Sequence, residues 1–273
     1  MTPFVNPRVI SLLYHDVIEG NAADASGFPG GAAAVYKLER GRFTDHLAAI
    51  AAATPNPPTT VRSVLAGKCP ATPRMLTFDD GGASAFSPVA DLLEQLGWRG
   101  HFFVTANRIG TAGFLTREQV RSLHERGHIV GSHSWSHPDR MTTCSDERLF
   151  EEWDSSVRLL TEIIGDRVET ASVPCGAYGR RVAHAAARAG IRALFTSEPS
   201  VRCQTVGGCL ILGRFTMRRR APAELAARIA ADRGSSRLRQ WVPWQIKKLL
   251  KRVAWQPYQM ARTLILERPG PSS

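Results

Sequence analysis

Two carboxylates stand side by side in MLTFDDGG, residues 75–82, at the end of a short apolar run. Neighbouring side chains on a strand point to opposite faces, so Asp79 and Asp80 can reach one pocket only where the chain turns. Gly81 and Gly82 offer the positive dihedrals or close approach that such a turn requires. A turn rich in Asp and Gly is common without any chemistry, so a second cluster is needed. GSHSWSHP, residues 131–138, supplies it: His133 and His137 stand with three residues between them, directly after another apolar run. Two imidazoles at that spacing can converge on one metal ion, and a carboxylate completes a three-ligand site with positions left for water or substrate. A metal ion held in this way can lower the pKa of a bound water.

Strands must end where these clusters begin. RVISLLYHDV (8–17), RMLTF (74–78), HFFVTA (101–106), HIVGSHS (128–134), TASVPCG (170–176), IRALFTS (191–197) and CLILGRFTM (209–217) read as strands. Between them, helical patterns cover 42–53, 87–97, 116–127, 145–165 and 180–190, with Thr116 and Gln119 in capping-box spacing. The segment from Glu19 to Gly41, rich in Gly and Ala, reads as an irregular loop. Strands alternating with helices imply parallel pairing, an α/β architecture that is either an open sheet or a barrel. In both, sites gather at the carboxyl ends of strands, where each of these polar clusters falls. No GxGxxG or GxxxxGK[ST] follows a strand, so nucleotide binding has no support.

The chain has 273 residues, 43% of them hydrophobic, enough for one large domain with an appendage. Its five cysteines, an odd number, form no CxxC pair, which favours a reducing compartment. The first residues lack a signal-peptide pattern and no run is long enough to span a membrane, so the expected location is cytoplasmic. The net charge of +11 is concentrated at one end: 14 of the 35 Lys and Arg but 3 of the 24 Asp and Glu lie at or after Arg214, leaving 21 of each before it. Charge alone, without a recognisable binding motif, gives no reason to expect nucleic acid as a partner.

TFDDG and HSWSH, in this order and with this strand-helix alternation between them, resemble the first two motifs of the polysaccharide deacetylase family, the NodB-homology or carbohydrate esterase family 4 group. The resemblance covers roughly residues 8–217. It implies a distorted (β/α) barrel in residues 1–217, a basic helical extension in 218–273, and removal of an N-acetyl group from a sugar with a divalent metal such as Zn²⁺. By position, Asp80, His133 and His137 would hold the metal and Asp79 would be the general base. SVPCG (172–176) aligns with the family's third motif, RxPxG, which makes Pro174, Cys175, Gly176 and Tyr178 the oxyanion and substrate turn. A C–N hydrolase of the same fold acting on a non-sugar amide, or a member that binds metal and glycan without turnover, would carry the same motifs.

Two positions depart from the family pattern. Ser172 stands where an Arg usually orients the base, and Arg214, just after a late apolar run, is the expected substitute. The Leu-x-His whose histidine protonates the leaving amine is missing, since no histidine follows His184. His15, at the end of the first strand, is the expected replacement because an imidazole can donate a proton near neutrality; Asp16 is a weaker candidate on the same rim. His15 and Arg214 are both expected at the mouth of the site.

The segment 239–266 combines Val242, Ile246, Leu249, Leu250 and Val253 at helical spacing with Lys247, Lys248, Lys251 and Arg252, flanked by Trp241, Trp244, Trp255 and Tyr258. Such a helix can pack its apolar face on the barrel, or lie on an anionic membrane beside a lipid-linked glycan, each basic group contributing about 1 kcal/mol. If it docks on the membrane, the full chain floats with anionic vesicles at low salt, releases at high salt, and loses binding when the residues after 238 are deleted. Equal flotation of intact and shortened chains would leave the packing role.

Overall fold

Along RMLTF the side chains alternate between two packing layers: Met75 joins one buried cluster while Leu76 and Phe78 join another. This is the pattern of a strand buried on both faces. The computed structural model of the protein describes residues 8–233, so the basic segment 239–266, with its alternative roles in packing or membrane docking, lies outside the described residues. The strands are β1 (Ile10–Tyr14), β2 (Val17–Ile18), β3 (Leu38–Glu39), β4 (Arg74–Phe78), β5 (His101–Val104), β6 (Ile129–Ser132), β7 (Thr170–Ser172), β8 (Ala193–Phe195), β9 (Gln204–Val206), β10 (Cys209–Leu212) and β11 (Phe215–Thr216). The helices are α1 (Gly31–Ala34), α2 (Arg40–Ala53), α3 (Val61–Leu65), α4 (Asp91–Gln95), α5 (Arg117–Glu125), α6 (Asp146–Ile164), α7 (Arg180–Arg188) and α8 (Ala223–Ala230).

Nine strands form one sheet in the order β11-β1-β4-β5-β6-β7-β8-β10-β9, while β2 and β3 pair separately. All neighbours in the large sheet are parallel except β9 and β10. The sheet is rolled, because Met75 of β4 shares an inner cluster with Phe103, Phe195 and Leu212 from strands up to five places away. The Val9 N–H donates to the Val201 carbonyl at 2.9 Å, drawing together the segments that precede the two ends of the sheet. This is the distorted (β/α) barrel that the resemblance implied. Outside it, α2, α4, α5 and α8 press Phe43, Leu93, Val120 and Ile229 onto the outward faces of β1, β4 and β5. Trp153 of α6 and Val182 of α7 cover β7 and β10.

Local signals account for several boundaries. Helix α5 starts with the capping box, Thr116 Oγ1 accepting from the Gln119 N–H while Gln119 Oε1 accepts from the Thr116 N–H. Ser145 caps α6, and Gly165 ends it with φ +68°.

The run 209–217 is not one strand. It divides at Gly213 and Arg214, and its halves lie towards opposite ends of the sheet, β10 beside β8 and β11 beside β1. A Cβ on Gly213 would overlap the carbonyl oxygens of Glu198 and Ser200, so only glycine lets the chain pass there. The hairpin from β9 to β10 turns on Gly207 and Gly208, both at positive φ, a signal that the strand pattern had left unread. The expected irregular loop, 19–41, contains α1, β3 and the start of α2. The core also continues past residue 217, the expected end of the barrel domain, since Ala226, Ile229 and Ala230 of α8 are buried in it.

His101, at the start of β5, is fully buried; its Nδ1–H donates to the Leu76 carbonyl at 3.0 Å and its Nε2 accepts from the Val61 N–H at 2.9 Å. Burial lowers its pKa to about 4. The unfolded chain therefore binds the extra proton first as pH falls, and stability is full above about 6.5 and declines towards pH 4. This histidine should account for about 3 kcal/mol of that decline. Chemical unfolding from pH 7 to 4 checks it: His101→Gln, whose amide oxygen can keep the Val61 bond, should show the shallower slope.

Candidate active site

In a parallel barrel the strand carboxyl ends share one rim, and β1, β4, β6, β7 and β8 deliver His15, Asp79, His133, Ser172 and Thr196 just at or beyond their last residues. The Asp79 N–H still donates to the Tyr14 carbonyl, so Asp79 continues the inward-facing row that Met75 and Thr77 begin. The next residue turns. Asp80 has φ +75° and Gly81 φ +79°, which swings the second carboxylate to the same side as the first. Left-handed backbone at Asp80 itself, with Gly81, resolves the paired carboxylates. Gly82 keeps an ordinary φ and serves by close approach, since a Cβ there would overlap the Asp16 carboxylate and the Ser26 hydroxyl.

His133 and His137 reach the same point from the loop after β6. Asp80 Oδ1 lies 3.4 Å from His133 Nε2 and 3.6 Å from His137 Nε2, and one ligand atom from each of the three residues falls within 4.8 Å of the others. The His133 Nδ1–H donates to the Ser172 carbonyl at 3.0 Å, so the tautomer this bond requires leaves the Nε2 lone pair facing Asp80. His137 has φ +58°, its N–H donates to Ser134 Oγ at 3.0 Å, and the Phe28 ring packs on its imidazole at 4.7 Å. Two nitrogen donors and one carboxylate oxygen, with one imidazole already fixed from behind, fit a divalent cation of the zinc type.

Asp79 is clamped from below. Arg214 donates from Nη1 to Asp79 Oδ1 at 2.6 Å and from Nη2 to Oδ2 at 2.8 Å, a bidentate fork. The Ser172 hydroxyl donates to Oδ2 at 3.0 Å and accepts from Arg214 Nη2 at 2.6 Å. Arg214 also donates from Nε to the Thr196 carbonyl, and its guanidinium lies near the Phe103 and Phe195 rings. Arg214 is thus joined to Asp79 as expected of a substitute for the missing Arg at 172, but its place differs. It is fully buried beneath the carboxylate instead of exposed at the mouth, because it issues from the bend between β10 and β11 towards the barrel interior.

Burial alone would raise both carboxyl pKa values, yet both are held below the usual range. For Asp79 the Arg214 charge and then His133 prevail; for Asp80, His133 and the charges of His15 and His137 do so. The two imidazoles are driven apart. Burial opposes the charged form of His133, but Asp79 and Asp80 raise its pKa, whereas burial and then His133 lower His137 to about 4.

His15 follows β1 on the same rim, its ring 4.9 Å from that of Tyr36 and its buried Nδ1 without a hydrogen-bond partner among the described residues. Its charge acts on Asp79, Asp80 and His137. Asp16 is a clasp: its Oδ1 accepts from Ser26 Oγ at 2.6 Å and Ser84 Oγ at 2.9 Å, tying the 23–28 segment to the turn after Asp80. Pro174, Cys175 and Gly176 form a tight turn beyond β7, with Cys175 exposed at φ +52° and Gly176 at φ +63°. Tyr178 lines a cleft of about 330 Å³ with Thr196, Glu198 and Gln204, and Asp80, His133 and His137 are not part of that lining.

Sequence reasoning missed three supports. Lys37, buried within the supposed irregular loop, donates from Nζ to the Ala23, Ser26 and Phe28 carbonyls and so holds Phe28 against His137. The Ser172 hydroxyl binds both members of the Asp79–Arg214 pair. Glu152 of α6 is fully buried under the histidine loop; a lone Glu on the face shared by Leu149, Trp153, Ser156 and Leu160 was the available signal.

The family model described as polysaccharide deacetylase matches residues 67–194. This chain carries a polysaccharide deacetylase domain. Peptidoglycan-N-acetylmuramic acid deacetylase PdaA of Bacillus subtilis is 31% identical over 127 residues, 45% of each chain. An uncharacterised 30.6 kDa protein of Geobacillus stearothermophilus is 35% identical over 124 residues, again 45% of each. The chain thus aligns with about half the length of these curated relatives. Among solved structures, Streptococcus pyogenes deacetylase PplD, in complex with acetate, superposes with TM-score 0.67 at 18% identity, covering 80% of this chain and 96% of that one, a likeness of fold. The family match ends at residue 194, so Arg214, which clamps Asp79 in this deacetylase domain, lies outside it, as does His15.

Arg214→Ala should cost about 3–5 kcal/mol in chemical unfolding, because it leaves the buried Asp79 carboxylate unpaired. The double variant with Asp79→Asn should recover part of that loss. Equal stability of Arg214→Ala and the parent would contradict the clamp.

Proposed function

We propose that this chain is a metal-dependent N-deacetylase that hydrolyses the acetamide of an N-acetylated sugar in a polysaccharide or glycolipid. The observation that carries the reading is the convergence of Asp80, His133 and His137 on one point beside a separately clamped Asp79. The relatives named for peptidoglycan deacetylation support the substrate class. Asp80, His133 and His137 hold the ion, and the chemistry it supplies when bound is Lewis acidity towards water and an amide carbonyl.

Asp79 has a different task from its neighbour. A carboxylate offers about four lone-pair sites, and Arg214 and Ser172 together occupy three, one on Oδ1 and two on Oδ2. The remaining site on Oδ1 accepts the proton of the attacking water. Because Arg214 keeps Asp79 ionised, the base is ready at any pH near neutrality, and the same fork prevents the carboxylate from rotating away. The backbone of the Pro174–Gly176 turn lies on the rim next to Ser172 and is assigned to the oxyanion. His15, with its unpartnered Nδ1, is assigned to protonating the departing amine.

Purified protein should release acetate from N-acetylated oligosaccharides, lose the activity on chelation and regain it when Zn²⁺ is restored. His133→Ala should lose both metal and activity. Asp79→Asn should keep stoichiometric metal while its turnover falls by about 10²–10⁴-fold. Undiminished turnover in Asp79→Asn would remove the base assignment, and metal binding with no acetate release from any such glycan would favour a binding role.

A further inference from the structure

The two metal-facing histidines are supported by different means. His133 is fixed through its own ring by the Ser172 carbonyl. No equivalent bond is recorded for the His137 ring among the described residues, and the backbone around it is unusual, with Ser134 at φ +65° and His137 at φ +58°. Non-glycine residues hold such dihedrals only where the surroundings over-determine them, at a cost of about 1–3 kcal/mol each. The Ala106 and Asn107 N–H groups hold the Ser134 and Trp135 carbonyls, Ser132 Oγ accepts from the Ser134 N–H, and the side of the loop that faces α6 is held by one buried residue. Glu152 is fully buried, and its Oε2 accepts from the Ser136 N–H at 2.8 Å while its Oε1 accepts from the Ser136 hydroxyl at 2.6 Å. The Glu152 carbonyl accepts from the Trp135 N–H at 2.9 Å, and Arg148 balances the carboxylate at 2.5 Å. One residue of α6 therefore grips two successive peptide groups and a hydroxyl in the three-residue span between the histidines.

We infer that Glu152 is a positioning residue for the metal centre, setting the path of residues 134–137 so that His137 Nε2 arrives beside Asp80 and His133. The inference rests on the metal-site reading above and adds the device by which its third ligand is placed. The geometry requires a carboxylate. Oε2 accepts from the Ser136 N–H and Oε1 from the Arg148 guanidinium, two groups that can only donate, so an amide in that place would turn its NH₂ towards one of them. The charge has a further role, since an ionised acceptor makes each of these bonds stronger than a neutral one would.

The test separates positioning from general support of the fold. Zn²⁺ affinity is measured by competition with a chromophoric chelator on the full chain, alongside thermal unfolding of the metal-free protein. Glu152→Gln should bind Zn²⁺ at least tenfold more weakly, and Ser136→Ala, which keeps the backbone bond, severalfold more weakly. Leu160→Ala, a core truncation on the same helix, should lower the unfolding midpoint and leave Zn²⁺ affinity unchanged. Unchanged affinity in Glu152→Gln, or an equal loss in Leu160→Ala at matched stability, would overturn the inference while leaving the metal site standing. If Glu152→Gln fails to fold, Ser136→Ala decides by the same criterion. Failure of the parent protein to bind Zn²⁺ would overturn both the site and its positioning residue.

Discussion

A carboxylate at the bottom of a rolled sheet needs a partner, and the pairing of Asp79 with Arg214 is the constraint around which the rest of this site is arranged. Both groups are buried, and an ion pair in such a place is worth keeping only if nearly every donor and acceptor is satisfied. Here the fork takes both oxygens of Asp79, Ser172 fills the gap between the two side chains, and Thr77 and Thr196 take further guanidinium hydrogens. Phe103 and Phe195 close the sides. With Asp79 fixed and ionised, the turn at Asp80 can present a second carboxylate a short distance above it without the two sharing a proton. The division of labour between neighbouring acids is therefore made by what lies under one of them.

The upper half of the site depends on walls supplied by distant segments. Lys37, Asp16 and Ser26 tie the 23–28 segment to the turn after β4 and bring Phe28 against His137. Helix α6 supplies the opposite wall through Glu152. Each wall uses a buried charge that reaches into a loop, Lys37 binding three backbone carbonyls and Glu152 binding the N–H and hydroxyl of Ser136. Among the described residues, four of the five non-glycine positions at positive φ, Asp80, Ser134, His137 and Cys175, lie in the loops at this rim, so the strained backbone and the polar supports coincide there.

Much of this was legible in the residues because the signals were local. TFDDG and HSWSH carry their identity in adjacent letters, a capping box marked α5, and alternation of strand and helix gave the α/β class, which the family resemblance narrowed to a barrel. Arg214 could be singled out as the cation for Asp79 because the aligned position held only Ser172. Its depth could not be read, since a residue after an apolar run looks the same whether it rises to the rim or turns inward. The division of 209–217 was hidden for a similar reason: Gly213 and Arg214 interrupt nothing in the hydrophobic pattern, and the crowding by Glu198 and Ser200 comes from another part of the chain. Lys37 was missed because its partners are backbone carbonyls, which leave no trace in side-chain spacing, and Glu152 because its Arg148 partner, one helical turn before it, reads as an ordinary exposed helix pair.

The crossing at Gly213 also orders events in time. The strands on either side of it belong near opposite ends of the sheet, and the residue that follows it reaches a partner 135 positions earlier in the chain. During synthesis the segment through β8 can pair strand by strand in sequence, yet Asp79 would then be enclosed by apolar surface with no cation to meet it. Long-range contacts of this kind form late, since their loop-closure entropy must be met before they stabilise anything. The barrel therefore cannot settle around an ionised Asp79 until Arg214 has left the ribosome. A nascent chain lacking that last crossing carries every residue of the family-matched span without the electrostatic conditions under which the span can work.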